Sequence, residues 1–165
     1  MPITFVEVVY ALYFIFPAYC ANAAPIIFGG GRPIDAGRKF LDGKPLFGPR
    51  KTIRGFCAGL LVGTLVCLLL NALFQYDLLL GFMLSLGALV GDLAESFIKR
   101  RLNLAPGASF PIADQLDFVF GSLLFSIPVS PPPLPIILII IIITPPIHVS
   151  TNFLAYVLGV KRTPW

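Results

Sequence analysis

The sequence predicts an all-α, multi-pass membrane protein with five transmembrane helices, the N-terminus outside and the C-terminus cytoplasmic. Three observations carry that expectation. Of 165 residues, 57% are apolar and only 12% charged, against about 25% charged in a soluble domain, and the mean hydropathy is +0.90. Five apolar stretches approach or exceed the length of a span, about 17 to 25 residues. If those stretches alternate in direction, all 12 Lys and Arg residues fall on one side of the bilayer. A soluble globule is thereby excluded, and residues 1–165 read as one integral membrane domain. The net charge of +4 is accounted for by the positive-inside distribution, so nucleic acid is not an expected partner and the cell membrane is the expected location.

The first stretch, Ile3 to Ile27, carries Glu7 and no Lys or Arg before Arg32, so it lacks the basic start of a cleaved signal and is expected to stay in the bilayer. Segment 28–55 follows, reading FGGGRPIDAGRKFLDGKPLFGPRKTIRG. It holds too many Gly and Pro residues for a stable helix, so an ordered cytoplasmic loop is expected. It is not a Walker loop, because Gly48 is separated from Lys51-Thr52 by Pro49 and Arg50 and no strand precedes it. The second and third spans, Phe56 to Phe74 and Leu78 to Ile98, flank a tight turn at Gln75-Tyr76-Asp77. The fourth, Ile112 to Ile127, is short. The fifth, Leu134 to Leu158, contains Pro145-Pro146, where missing backbone donors predict a kink or break. Cys20, Cys57 and Cys67 are odd in number and lie among apolar residues, so they read as free packing thiols rather than as a disulfide framework or a zinc site.

Segment 91–121, GDLAESFIKRRLNLAPGASFPIADQLDFVFG, carries the chemistry. Asp92, Glu95, Ser96, Lys99 and Arg100 recur at helical spacing and form one polar face at the inner end of the third span. Carboxylates at membrane depth are costly unless they pair or bind something; the alternative to a site is a ladder of structural ion pairs. After a turn at Pro106-Gly107, Asp114 and Asp117 share one face at the start of the next helix, where single carboxylates serve as caps. Four carboxylates from two helix ends make an oxygen donor set suited to Mg²⁺. Zinc is a poor candidate, since no His or Cys lies nearby in the sequence. With Lys51, Arg54, Lys99, Arg100 and Arg101 around it, the set forms a metal-plus-cation clamp for a polyphosphate at the membrane surface.

The pattern G-D-x-x-E-S-x-x-K-R followed by D-x-x-D resembles the signature region of the CDP-diacylglycerol synthases. Asn22, Pro33-Ile34-Asp35, Asp42-Gly43, Lys51-Thr52-Ile53-Arg54-Gly55, Asp114-Gln115-Leu116-Asp117, Asn152, Tyr156, Gly159 and Pro164-Trp165 are similar to the archaeal branch, the CDP-archaeol synthases, over nearly the whole chain. The chain departs from the bacterial pattern: Ala105-Pro106 and Pro111-Ile112-Ala113 stand where that pattern has Lys-Asp and His-Gly-Gly, and Gln115 replaces its Arg. The resemblance implies transfer of CMP from CTP to 2,3-di-O-geranylgeranylglycerol phosphate, an unsaturated archaetidic acid, with release of pyrophosphate. By matched position it implies a Mg²⁺ cluster of Asp92, Glu95, Asp114 and Asp117, the last two foremost, with one or two ions left open. Lys51, Arg54, Lys99 and Arg100 would hold the phosphates, with Ser96 and Thr52 as hydroxyl partners. Asn22, in a polar break before Pro25, completes the nucleotide pocket or makes an interhelical hydrogen bond. His148, with Asn152 and Tyr156 on its face, packs a helix interface or meets the headgroup or nucleotide.

A transporter or channel is the competing class. Against it, no charge is placed for a relay to the outer face, where only Glu7 and Asp77 lie. A CDP-alcohol phosphotransferase is excluded by Asp42-Gly43-Lys44-Pro45-Leu46-Phe47, which lacks that family's D-G-x-x-A-R pattern.

Overall fold

A computed structural model describes residues 3–105, 108 and 110–161. The turn expected at Pro106-Gly107, the cation Arg162 and the terminal Pro164-Trp165 pair lie outside the described residues. Five helices occur in the order α1 (Phe5–Phe28), α2 (Ile53–Phe74), α3 (Leu78–Arg101), α4 (Ala113–Ser126) and α5 (Leu134–Val157). Among the described residues there is no strand, only isolated bridges between Pro33 and Thr52 and between Lys39 and Pro45. The helices match the five apolar stretches within a few residues. Four of them, α1, α2, α3 and α5, are long and apolar enough to cross a membrane. The 14 residues of α4 rise only about 21 Å, less than a hydrocarbon core of about 30 Å.

Local chemistry sets the ends. Thr4 and Glu7 form a reciprocal capping box at the start of α1. Gln75 ends α2 in the left-handed region at φ 58°, and Asp77 caps α3 by accepting from Leu80 N at 2.9 Å. The tight turn expected at 75–77 is therefore present, and Tyr76 locks it by donating its hydroxyl to the Phe14 carbonyl at 2.6 Å. Neither proline pair breaks its helix: α1 runs through Pro17 and Pro25, and α5 runs unbroken through Pro145 and Pro146. All three cysteines are free.

Without a hydrophobic drive between helices in lipid, close packing depends on small residues that let backbones touch. Two glycine rows do this here. On α2, a Cβ added at Gly59 would stand 2.7 Å from both the Ala21 carbonyl oxygen and a Leu89 methyl, and one at Gly63 would run into Ser85. On α3, Gly87 and Gly91 meet Gly121 of α4 backbone to backbone; a Cβ on Gly121 would stand 2.8 Å from Gly91 Cα and collide with the Gly87 carbonyl oxygen. Ser122 seals that crossing with a hydroxyl placed between the Leu84 and Phe118 carbonyl oxygens, 2.9 and 2.7 Å away, its single proton available to either. The remaining core is Ile15, Leu84, Phe118, Val119 and Ile140 with their neighbours.

Candidate active site

The 29–52 segment is ordered by its own backbone. Asp35 accepts from three N–H groups, Gly37 at 2.9 Å, Phe47 at 3.0 Å and Gly48 at 3.0 Å. Burial works against ionisation of Asp35, but these donors outweigh it and hold the carboxyl below its ordinary pKa. The segment is then pinned to the end of α3. Arg101 Nε contacts Asp42 at 2.9 Å, its Nη2 donates to the Pro45 carbonyl at 2.5 Å, and its guanidinium lies over the Phe97 and Phe40 rings at 4.5 and 5.1 Å. Lys44 donates to the Arg101 carbonyl at 2.9 Å, satisfying the end of the helix.

This anchoring delivers Lys51 to the carboxylates. Its Nζ lies 2.5 Å from Asp92 Oδ1. One turn along α3, Lys99 pairs with Glu95 at 2.8 Å and with Asp114, and donates to the Ala108 carbonyl at 3.2 Å. A single ammonium, 9% exposed, thus ties α3 to the start of α4. Asp114 also reaches back to accept from Phe110 N at 3.0 Å, closing the turn that opens α4 at Ile112, a β-branched residue held at φ 70°. Asp117, one turn on, has no ion pair among the described residues and lies within reach of the charges of Asp92 and Glu95. Arg100, 6% exposed, donates to the Ala105 carbonyl at 3.2 Å and packs under Gly48.

These groups face a cavity of about 700 Å³. Nine of the eleven residues anticipated from the sequence line it: Asn22, Lys51, Asp92, Glu95, Ser96, Lys99, Arg100, Asp114 and Asp117. Two do not. Thr52 caps α2, its hydroxyl accepting from Gly55 N and Gly30 N at 3.1 and 3.3 Å, and it lines a smaller adjoining space of about 220 Å³. Arg54, in the first turn of α2, is exposed and borders neither cavity. Arg101 serves the loop rather than the cavity. Residues the motif reading did not single out also line it, among them Arg50, Gln115 and Lys161. Burial lowers the Lys161 ammonium below its ordinary pKa, against the attraction of Asp114. The positive-inside distribution was the available signal for Arg50 and Lys161; nothing marked Gln115 beyond its place between the two aspartates.

Among the described residues the carboxylates form no ready-made metal cage. Their donor chemistry nevertheless fits a hard divalent cation. Asp92, Glu95 and Asp114 share two ammonium partners, Lys51 and Lys99, and Asp117 has no ion pair among the described residues, an acidic surplus of the kind that a divalent ion balances. Both ammonium groups stand where a cation would sit among oxygens.

The chain matches the family model CarS-like: CDP-archaeol synthase over residues 4–165. It is 46% identical to the CDP-archaeol synthase of Pyrococcus furiosus over 161 residues, covering 94% of this chain and 96% of the relative. It is 48% identical to that of Thermococcus gammatolerans over 163 residues, covering 94% and 95%. A solved structure of an intramembrane enzyme for archaeal membrane lipid biosynthesis superposes with a TM-score of 0.82 at 35% identity, covering 88% of this chain and 94% of that one.

Proposed function

This chain belongs to the CDP-archaeol synthase family, and from that premise we propose that it transfers CMP from CTP to 2,3-di-O-geranylgeranylglycerol phosphate in membrane ether-lipid biosynthesis. The observation that carries the reading is the convergence of four carboxylates with Lys51, Lys99 and Arg100 on one cavity at a shared end of the helices. A transporter or channel is not favoured: Glu7 and Asp77, the charges expected at the far end, are used there as helix caps.

The acceptor is a phosphate monoester whose second pKa is about 6, so it is an anionic nucleophile near neutral pH without a general base. Its oxygen attacks the α-phosphorus of CTP. The bond from that phosphorus to the oxygen bridging to the β-phosphorus breaks, and pyrophosphate leaves with the electron pair. Lys51, Lys99, Arg100 and Arg50 offset charge on the phosphates, Asp92 and Glu95 aim the two ammonium groups, and the loop organised by Asp35 sets the position of Lys51. Bound by Asp114 and Asp117 together with Asp92 and Glu95, Mg²⁺ would polarise phosphate oxygens as a Lewis acid. Ser96 and Asn22 are assigned to the nucleotide side of the cavity; Thr52 acts through its cap, and Arg54, outside both cavities, contributes only its longer-range charge. We read α4 as a short fourth span, with the N-terminus outside and segment 28–55 and the C-terminus in the cytoplasm.

Purified protein in detergent, given CTP, Mg²⁺ and the prenylated glycerol phosphate, is expected to form the CDP-lipid. Removing divalent ions with a chelator should abolish the reaction and adding Mg²⁺ restore it. Asp114→Asn and Asp117→Asn should each lower kcat by about 100-fold or more. Absence of transfer, or variants equal to the parent, would overturn the assignment.

A further inference from the structure

The cavity has a second wall with different chemistry, built by α5. Helix α5 touches α1 and α4, and the α1 seam is closed by Tyr19 and Thr144, whose hydroxyls lie 2.8 Å apart. One turn beyond Thr144 the seam changes character. Ile26 of α1 and Val149 of α5 both line the cavity, yet they are 45% and 51% exposed. On helices that cross a bilayer, an exposed apolar rim of this kind opens the cavity sideways to lipid.

His148 stands beside Val149 at that opening. Its ring stacks on Phe118 of α4 at 6.4 Å and 26°, and Phe118 is fully buried. Its Nδ1 lies 3.1 Å from the Asn152 amide nitrogen; Asn152 is 7% exposed. An amide nitrogen only donates, so Nδ1 accepts and the ring proton resides on Nε2. The contact with Asn152 engages Nδ1 and leaves Nε2 as the ring's second polar atom, on a residue that lines the cavity.

We propose that His148 binds the phosphate of the membrane-borne acceptor, separately from the cations that hold the nucleotide, a proposal that rests on the reaction assigned above. The phosphate of a lipid whose chains stay in the bilayer reaches the cavity past Ile26 and Val149, where His148 lies next in sequence to Val149, and Asn22, Asn152 and Lys161 also line the cavity. The nucleotide phosphates are assigned instead to Lys51, Lys99 and Arg100, which line the same cavity. Both ligands present phosphate oxygens, so the test separates them by kinetics.

His148→Phe keeps the ring stacked on Phe118 and removes the N–H; His148→Gln restores an amide donor. With 2,3-di-O-geranylgeranylglycerol phosphate and CTP as substrates, the Phe variant is expected to raise KM for the lipid about tenfold while KM for CTP stays within about twofold of the parent. The Gln variant should recover most of the lipid KM. A rise confined to CTP, no change in either KM, or a Gln variant as impaired as the Phe variant would overturn the contact. If the parent makes no CDP-lipid, the reaction assignment falls; if the parent is active and His148→Phe leaves the lipid KM unmoved, only this contact falls.

Discussion

The two walls of the cavity are built by opposite means. On one side, α3 and α4 cross backbone to backbone at Gly87, Gly91 and Gly121, and ion pairs from Lys51 and Lys99 fasten the loop, α3 and α4 together. On the other, α5 meets α1 through the hydroxyl pair of Tyr19 and Thr144 and α4 through the stacking of His148 on Phe118, with apolar packing around them. The contrast teaches where stiffness is required. Holding four carboxylates at membrane depth demands partners fixed to fractions of an ångström, because an unpaired charge there is expensive. A wall beside which lipid chains pass needs no such network, and apolar side chains with few ties repack at small cost.

Forcing the stiff wall apart should have the largest effect. Gly121→Leu places a side chain where the Gly87 carbonyl already stands, and it should cost about 3 kcal/mol and abolish turnover. Thermal melting in detergent reads the loss; a parent-like melting temperature would show that the α3–α4 crossing yields as readily as α5 does.

A smaller effect is expected one layer out, at Asp35. Asp35→Asn weakens the three N–H bonds that shape the loop and should cost about 1 to 3 kcal/mol, with kcat/KM for CTP falling as Lys51 loses its setting. The sign with pH follows from the lowered pKa of this carboxyl. Its contribution is complete above the unfolded value of about 4 and is lost as pH falls through the lower folded value. The gap in melting temperature between parent and variant should therefore narrow on acidification and stay constant near neutrality.

The smallest effect belongs to the pliable wall. Thr144→Val removes the hydroxyl shared with Tyr19 and should cost about 0.6 kcal/mol, with kcat near that of the parent. A loss as large as that of Asp35→Asn would erase the distinction between the walls.

Much of this was legible in the residues. Hydropathy runs located all five helices, since burial in lipid leaves the chain few alternatives to a helix, and the spacing of Asp92, Glu95, Ser96, Lys99 and Arg100 placed them on the face that lines the cavity. What escaped was tertiary. Thr52 and Arg54 share a motif with Lys51, yet Thr52 is spent on a helix cap and Arg54 turns outward, because only every third or fourth residue of a helix start faces inward. The prolines of α1 and α5 bend no rule about donors, but surrounding contacts keep both helices continuous, which a local reading of Pro145-Pro146 does not register. The glycine rows at Gly55-Gly59-Gly63 and Gly87-Gly91 recur at i, i+4, but the sequence reading did not take them up, because which glycines meet a neighbouring backbone is decided by the helix crossings. Asp35 gave no sign of its role, which depends on backbone groups 12 and 13 residues away.

The cavity borders two different media. Phe47, Gly48 and Arg50 edge it on the side of the loop, and Ile26 and Val149 edge it on the side of the bilayer. With those two edges, the assigned reaction would release pyrophosphate into water and the nucleotide-activated lipid along the plane of the membrane. Back-reaction is then governed by two separate reservoirs, a volume concentration for one product and a surface density for its companion, so draining either one is enough to pull the synthesis forward.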